Sequence, residues 1–402
     1  MVIGIIGAGA SGMAAAIAAA ANPENQIILF ERQARVGRKL QATGNGRCNL
    51  TNKNAALSNY HGEQAVFAAP ALTAFDPQKT VAWFRCLGLY TVTEPSGKVY
   101  PYSDQANSVV DVLRFALVKE NIRLMTGFEV IKVRKDDNGF AVASKDETIR
   151  CDKLIVACGG LAGTKLGGSL AGYKLLQSLG HKSTRLRPSL VQLKSSWNGC
   201  NALKGVRANC RVEILHDGRV FSSSEGELQF TEYGLSGPVI FEVSRDACSA
   251  AGEWTCRMDF LPNESKDTLV AELKRRKTAD LPVDELLTGI LHNRLGRVLT
   301  QAAGVTGKNT AQLGECDILA VCDAVHGFEI AITEPMGMDN AQVTAGGIQT
   351  RDFDPETMES RLVSGLYACG EVLDIDGDCG GYNLQWAWSS GVLAGQCAGG
   401  LK

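Results

Sequence analysis

The sequence predicts an α/β fold in two parts: an α/β domain built from both ends of the chain, and a β-rich domain, with a small helical subdomain, inserted between them. Three observations carry this. Val2-Ile3-Gly4-Ile5-Ile6-Gly7-Ala8-Gly9-Ala10-Ser11-Gly12 reads as a buried strand, a glycine turn and a helix start, and Glu31 ends the next apolar run. A second glycine-rich helix start, Gly380-Gly381-Tyr382-Asn383-Leu384-Gln385, lies near the other end. Between them the text from about residue 188 to 335 changes character and becomes rich in hairpins, with Asp217-Gly218 as the clearest turn.

The opening unit has the whole context that a G-x-G-x-x-G motif requires. Gly7 allows the tight turn, Gly9 lets the backbone N–H groups of Ala10 and Ser11 approach a pyrophosphate, and Gly12 lets the helix pack closely on the strand. The helix, residues 11–21, is nearly all alanine, so its positive N-terminus meets the phosphates without bulk. Glu31 stands 19 residues after Gly12, where a carboxylate takes a ribose 2′-OH and repels a 2′-phosphate, which disfavours NADP there. Arg32 is placed to stack near the adenine. The alternative is a glycine-rich core turn with no ligand.

Residues 26–30 form the second strand. The run Gly37-Arg38-Lys39-Leu40-Gln41-Ala42-Thr43-Gly44-Asn45-Gly46-Arg47-Cys48-Asn49 reads as a loop whose glycines allow close backbone approach and whose Arg38, Lys39 and Arg47 offer charge to a polyanionic cofactor. Helices are expected at 77–87 and 107–120, turns at 95–97 and 99–101, and short strands at 123–126, 129–134 and 140–144, the last two joined by Asp137-Asn138-Gly139. A buried strand, 153–157, runs into Cys158-Gly159-Gly160, which brings backbone close to something flat or bulky. A short helix follows at 172–179. Inside the insert, helices are expected at 267–277, 283–295 and 311–320.

The C-terminal part names the cofactor. Residues 365–371, ending in Gly370-Glu371, form a strand and turn that lead through Asp374 to the Gly380-Gly381 helix start and a helix to about residue 398. A simple NAD domain does not need a second such start; FAD is longer, and its pyrimidine edge gains from a helix N-terminus. Asp374 is placed to bond the ribityl chain.

These residues, with Phe230-Thr231, Gly234-Leu235-Ser236-Gly237-Pro238, Val343-Thr344-Ala345-Gly346-Gly347 and Trp386-Ala387, resemble the BaiN-like (aminoacetone-oxidase-like) FAD-binding flavoproteins over essentially the full length. The resemblance implies a Rossmann-type FAD-binding domain, residues 1–187 and 336–402, interrupted by a β-barrel-like insert, 188–335, with a helical subdomain at about 262–312. It implies that Gly7, Gly9, Gly12, Glu31, Arg38, Lys39, Thr43, Gly44, Asn45 and Arg47 line non-covalently bound FAD, that Val130 on a meander strand offers backbone to adenine, and that Asp374, Gly381, Asn383 and Leu384 meet the ribityl and pyrimidine end. Two positions depart from the family pattern: Cys158 stands where members often have Thr, and Glu232 where they often have His.

For chemistry, Tyr233 is the candidate proton donor, on a turn of the insert before Gly234, with Arg207 nearby in sequence. Cys48 reads as a buried apolar thiol, and His61, His181, His216, His292 and His326 read as structural. Trp386 and Trp388 read as core. The expected activity is NAD(P)H-driven reduction of an activated C=C bond in a small or steroid-like molecule, with nicotinamide as a transient reductant. The alternatives are an O₂-dependent oxidase of a small amine or amino ketone, and an RNA-modifying or redox-sensing flavoprotein.

The 402 residues are 45% hydrophobic and 21% charged with a net charge of −2, which gives no general attraction to nucleic acid or an anionic membrane. Thirteen cysteines without a C-x-x-C pair fit reduced thiols in a cytoplasm better than a disulfide framework or a zinc site. The apolar start lacks a basic flank, since the first cation is Arg32, and is read as a strand and not as a signal peptide.

Overall fold

The computed structural model describes residues 1–247 and 249–402. Two compact units divide the chain: Met1–Pro188 with Ala341–Lys402, and Ser189–Asn340. In the first, five strands form a parallel sheet in the order Leu366–Ala368, Lys153–Val156, Val2–Ile6, Gln26–Glu31 and Ile122–Thr126. The central strand is apolar on both faces because the helix Ala10–Ala19 packs on it and the strand Thr148–Cys151 approaches it at Gly4, where an added Cβ would lie 2.7 Å from Cys151 Sγ; Ile3 and Ile5 are wholly buried. Ile5 pairs with Leu29 on one side and Ile155 on the other.

Two helices from opposite ends of the chain make one layer. The N-terminal helix, Ala10–Ala19, lies against the C-terminal helix, Tyr382–Ala398, where Gly391 and Gly395 leave room for backbone: a Cβ on them would stand 2.4 Å from the Ser11 carbonyl oxygen and 2.3 Å from that of Ala15. The alanines facing them make the approach possible from the other side. Trp386 and Trp388 are buried, as expected, and each indole N–H finds a backbone carbonyl, of Gly370 and Leu50.

The meander expected near residue 130 begins later. Its strands are Lys132–Asp136, Gly139–Ala143 and Thr148–Cys151. Val130 is therefore not on a strand. Gly127 and Phe128 donate their N–H groups to Gln33 and Glu31, and Phe128 packs on Phe30 with ring centroids 4.9 Å apart, so the connection stays tied to the parallel sheet until Ile131 bonds Ala143. The run expected as a loop from 37 to 49 opens with a short helix, Arg38–Ala42, and then bends through Gly44 (φ 57°) and Asn45 (φ 56°). Residues 99–101, expected as a turn, belong to the strand Lys98–Pro101; the turn is at Glu94–Gly97.

In the second unit six strands close a barrel: Leu193–Ser195, Gly234–Ser236, Arg219–Thr231, Arg207–His216, Trp254–Asp259 and Phe328–Pro335, the last pairing back onto the first. Closure removes free edges, and strict alternation along Trp254–Asp259 turns Trp254, Cys256 and Met258 inward. The accompanying helices are Pro238–Ser244, Lys266–Arg276, Asn293–Ala302 and Glu315–His326. The helix expected at 283–295 is absent: after a single turn, Val283–Glu285, Gly289 at φ 81° breaks the run, and the helix begins only after His292, whose Nδ1 accepts the Arg294 N–H. The helix Glu315–His326 starts later than the expected 311 because Asp317 takes the Gly314 N–H and fixes its first turn there.

Candidate functional site

The three glycines of the opening motif are needed for different reasons. A Cβ on Gly7 (φ 104°) would lie 2.5 Å from the Ala157 carbonyl oxygen, and one on Gly12 only 1.8 Å from the Gly7 carbonyl oxygen. Both are demanded by the chain's own packing. A Cβ on Gly9 would meet nothing within 4 Å. The protein leaves that space open, and the helix behind it has Gly9 as its N-cap, no side-chain cap and no acid in its first turn. Ser11 stands beside Gly370, where an added Cβ would be 2.5 Å from Oγ. The Gly370 N–H is in turn taken by Ser390 Oγ of the C-terminal helix. The two ends of the chain thus meet at this helix start.

Glu31 is held from both sides: Oε2 accepts the Ala8 N–H at 2.8 Å and Oε1 the Gln33 N–H at 2.8 Å. These bonds fix the carboxylate at the strand tip, and each oxygen retains a lone pair for a hydroxyl. Arg32 reaches the Gly167 carbonyl oxygen at 2.6 Å, and the exposed Arg38 bonds Gln33 at 3.2 Å.

The other two cations expected to face a polyanion have acidic partners. Lys39 Nζ bonds both oxygens of Glu371, at 2.8 and 3.1 Å, and Glu371 also accepts the Thr344 N–H. A Cβ on Gly160 would lie 2.5 Å from Thr344 Oγ1 and 2.6 Å from Glu371 Oε1, which explains that glycine, while Gly159 (φ 69°) faces open space. Arg47 bonds Asp104 at 2.5 Å and Glu94 at 3.2 Å, and its guanidinium lies 4.0 Å over the Tyr100 ring. The Asp104 hydrogen bond is the main cause that raises the Arg47 pKa above its ordinary value. Thr43 Oγ1 caps the Leu40 carbonyl at 2.7 Å, and Gly46 (φ 86°) has no neighbour where a Cβ would point.

At the second helix start, Gly380 (φ 129°) and Gly381 (φ 101°) precede a helix with no side-chain cap. A Cβ on Gly381 would stand 2.6 Å from Thr51 backbone and 2.9 Å from Asn49 Oδ1. That Asn49 oxygen is buried and has no hydrogen-bond partner among the described residues. Asn383, expected to meet the cofactor, spends its amide on the chain: Nδ2 donates to the Gly377 carbonyl at 2.7 Å and Oδ1 accepts the Gly377 N–H at 2.8 Å. Asp374 is 3% exposed and accepts the Glu63 N–H at 3.1 Å. Leu384 is half-buried at the first turn of the helix.

Burial pushes the Cys48 and Cys158 thiols each up to about 12. Tyr233 lies in the second unit, in the two-residue turn between Arg219–Thr231 and Gly234–Ser236, where its carbonyl accepts the Ser195 N–H at 3.0 Å. Its neighbour Glu232 pairs with Lys204, and Arg207 pairs with Glu227 at 3.3 Å. Four histidines have structural partners: His181 on Ser360 and stacked on Phe353, His216 stacked on Trp254, His292 as a helix cap, His326 on Asp259. His61 differs. It lies on Tyr60–His61, paired with Asp376–Gly377, and its Nε2 is 2.6 Å from Asp378 Oδ1. Sequence reasoning missed Glu371, Thr344 and the His61–Asp378 pair; each joins residues far apart in the chain, and only the neighbouring glycines Gly160 and Gly380 hinted at them.

Among the described residues no cluster of His, Cys, Asp or Glu could hold a metal ion, and no helix is long and apolar enough to cross a membrane.

An open space at Gly9, two uncapped helix starts, and an oriented carboxylate at the second strand tip suit a bound dinucleotide, and the orphaned Asn49 oxygen beside the second helix start suits the polar edge of its far end. The protein is of the FAD-dependent oxidoreductase class with a Rossmann-type domain. It belongs to the family described as HI0933-like protein Rossmann domain, whose model matches residues 1–397. It is 39% identical over 407 aligned positions to a 3-dehydro-bile acid delta(4,6)-reductase of Clostridium scindens, covering 98% of each chain. It is 32% identical to a ribosomal RNA dihydrouridine synthase of Escherichia coli, covering 98% of this chain and 96% of that one. Among solved structures, 3-ketosteroid delta1-dehydrogenase from Sterolibacterium denitrificans superposes with a TM-score of 0.51 at 13% identity, covering 100% of this chain and 99% of that one, which is a likeness of fold.

Proposed function

We propose that this flavoprotein reduces a C=C bond conjugated to a carbonyl in a steroid-like small molecule, with NAD(P)H as the source of electrons. The observation that carries this reading is the 39% identity, end to end, with a reductase named for a 3-dehydro-bile acid. The E. coli relative supports the same bond class, since dihydrouridine is uridine reduced at a C=C bond next to a carbonyl. It also favours a second reading in which the substrate is a uridine of RNA.

FAD, when bound, supplies the hydride. The chain's own groups bind and orient it. The N–H groups of Ala10, Ser11 and Gly12 at the uncapped N-terminal helix would hold the pyrophosphate. Glu31 would accept the ribose hydroxyls, with its two backbone bonds keeping it in place. The uncapped C-terminal helix, with Asn49 Oδ1 beside Gly381, would receive the pyrimidine edge, and Asp374 the ribityl hydroxyls. Lys39 and Glu371 would act as a neutral pair that ties the cation-bearing helix to the Gly370 turn.

Stopped-flow mixing tests the proposal. The oxidised protein is mixed with NADH or NADPH, and the reduced protein with a 3-oxo-4,6-diene bile acid, a uridine-containing ribosomal RNA fragment, or O₂. Bleaching by a nicotinamide and fast re-oxidation by the dienone is the expected result. Re-oxidation by the RNA alone would move the assignment to the second reading, and rapid stoichiometric peroxide with no acceleration by either would make the protein an oxidase.

A further inference from the structure

We propose that His61 and Asp378 form the acid–base pair that delivers the proton in this reduction, His61 as the proton-donating group and Asp378 as its positioning residue; the inference rests on the C=C reductase reading above. Reduction of a conjugated C=C bond adds a hydride to the β-carbon and a proton to the α-carbon. The hydride carries both electrons and comes from flavin that NAD(P)H has reduced. The proton comes from the His61 imidazolium, which is left neutral and is recharged from water.

Placement is the first argument. The two-stranded ladder Tyr60–His61 with Asp376–Gly377 stands immediately before the Gly380-Gly381 start of the C-terminal helix. Asp378 is three residues from the N-cap Gly381, in the same unit as every cofactor motif. Tyr233, by contrast, belongs to the other unit.

Geometry is the second. The 2.6 Å contact between His61 Nε2 and Asp378 Oδ1 is that of a charge-assisted hydrogen bond. Asp378 is held independently of the histidine, its carboxylate by one bond and its backbone by two. Asn59 Nδ2 donates to Asp378 Oδ2 at 3.0 Å, the Asp378 N–H donates to the Asn59 carbonyl at 3.0 Å, and Asn383 Nδ2 reaches the Asp378 carbonyl at 3.3 Å. Asn59 is itself held, its Oδ1 accepting the Ala56 N–H at 3.0 Å. A carboxylate clamped in this way sets the ring orientation and steadies the imidazolium, as in general acid–base pairs elsewhere.

Charge is the third. Asp376 lies directly across the ladder from His61, so the two side chains share a face. Asp374 and Glu63 flank the same strand pair, with the Glu63 N–H on the Asp374 carboxylate. The other polar groups around are Tyr60, Tyr382, Cys379 and, next to Gly380, Lys98. Acids outnumber cations, and this favours the protonated ring. The pair is also reachable by water: the side chains are 32% and 30% exposed, which allows the proton to be replaced after each turnover. At that exposure the pair contributes little to stability.

The test uses the FAD-loaded full chain and the variants H61Q and D378N. The His61 ring resonance is titrated by NMR in wild type and D378N. In parallel, dithionite-reduced protein is mixed with the 3-oxo-4,6-diene bile acid from about pH 5.5 to about pH 9. The wild-type re-oxidation rate should fall as pH rises, because the donor works only when protonated. H61Q should keep FAD and its rate of reduction by NAD(P)H. Its re-oxidation should slow by roughly 10²–10⁴-fold and lose the pH dependence. In D378N the His61 midpoint should move to lower pH. Wild-type rate and pH profile in H61Q, or an unmoved His61 midpoint in D378N, would overturn the assignment. If wild type does not reduce the dienone, the steroid reading falls, and the NMR arm still decides the pair.

Discussion

Gly9 and Gly12 are chemically identical and should fail in opposite ways. Gly9 has φ −81° and open space at its missing Cβ, so Gly9→Ala should leave Tm unchanged and weaken FAD binding at least about tenfold, roughly 1.4 kcal/mol. Gly12 faces backbone at 1.8 Å, so Gly12→Ala should cost about 3 kcal/mol or prevent folding. Thermal denaturation and FAD titration separate the two; equal effects on Tm would contradict the site. Glu31→Ala removes a carboxylate that bonds Ala8 and Gln33 as well as the expected ribose, and should weaken FAD by about 10- to 100-fold, since charged hydrogen bonds contribute roughly 1.5–3 kcal/mol. An unchanged dissociation constant would remove Glu31 from the site. Cys48 makes a check on burial. With its thiol near 12, only about one molecule in ten thousand carries the thiolate at pH 8, and that fraction grows as pH rises. Iodoacetamide should label the exposed Cys86 and Cys316 well before Cys48, and equal labelling would refute the buried placement.

At the scale of elements, the pairing of the first and last helices is the joint that brings both cofactor motifs together. It depends on Gly391 and Gly395, whose added Cβ atoms would press into the carbonyls of Ser11 and Ala15. Gly395→Ala, remote from any expected ligand contact, should cost about 1–3 kcal/mol of stability, as overpacking does, read as a lowered Tm, and weaken FAD only as a consequence. Retained Tm in this variant would mean that the helices can separate without loss. A smaller effect belongs to the helix Pro77–Cys86, whose N-cap Asp76 accepts the Lys79 N–H at 2.7 Å. The signals for this helix, an acid before a proline, were legible in the sequence because capping is local. The helix expected at 283–295 was misplaced for the opposite reason. Leu286, Leu287, Leu295 and Leu299 are all buried and mimic one apolar face, yet Gly289 splits them between a turn and a later helix.

For the molecule as a whole, the strands Arg187–Ser189 and Val343–Ala345 pair with each other, so the chain leaves the first unit and re-enters it at adjacent points. Replacing residues 189–340 with a short linker should therefore leave a folded unit that binds FAD but has lost turnover on the dienone. Absorbance of the purified fragment near the flavin bands and a steady-state assay check both halves. A fragment that folds and turns over fully would assign the whole reaction to the first unit; a folded fragment without FAD would mean that the insert contributes to the cofactor site.

What the sequence determined by itself was everything written in local code. Gly7-Ala8-Gly9-Ala10-Ser11-Gly12 and Glu31 are read within one strand–turn–helix–strand unit, Gly380-Gly381 marks its own helix start, and the Asp217-Gly218 hairpin announces a β-rich insert. Period, capping and turn chemistry act over a few residues, so these elements and the Rossmann class were legible before any tertiary contact was known. Only the tertiary structure decided which polar groups are spent and on what. Lys39 meets Glu371 across 332 residues, and His61 meets Asp378 across 317 residues. The same holds for Val130, drawn off its expected strand by bonds to the parallel sheet. Such pairings follow from where strands and helices pack, and a sequence position carries no record of a partner hundreds of residues away.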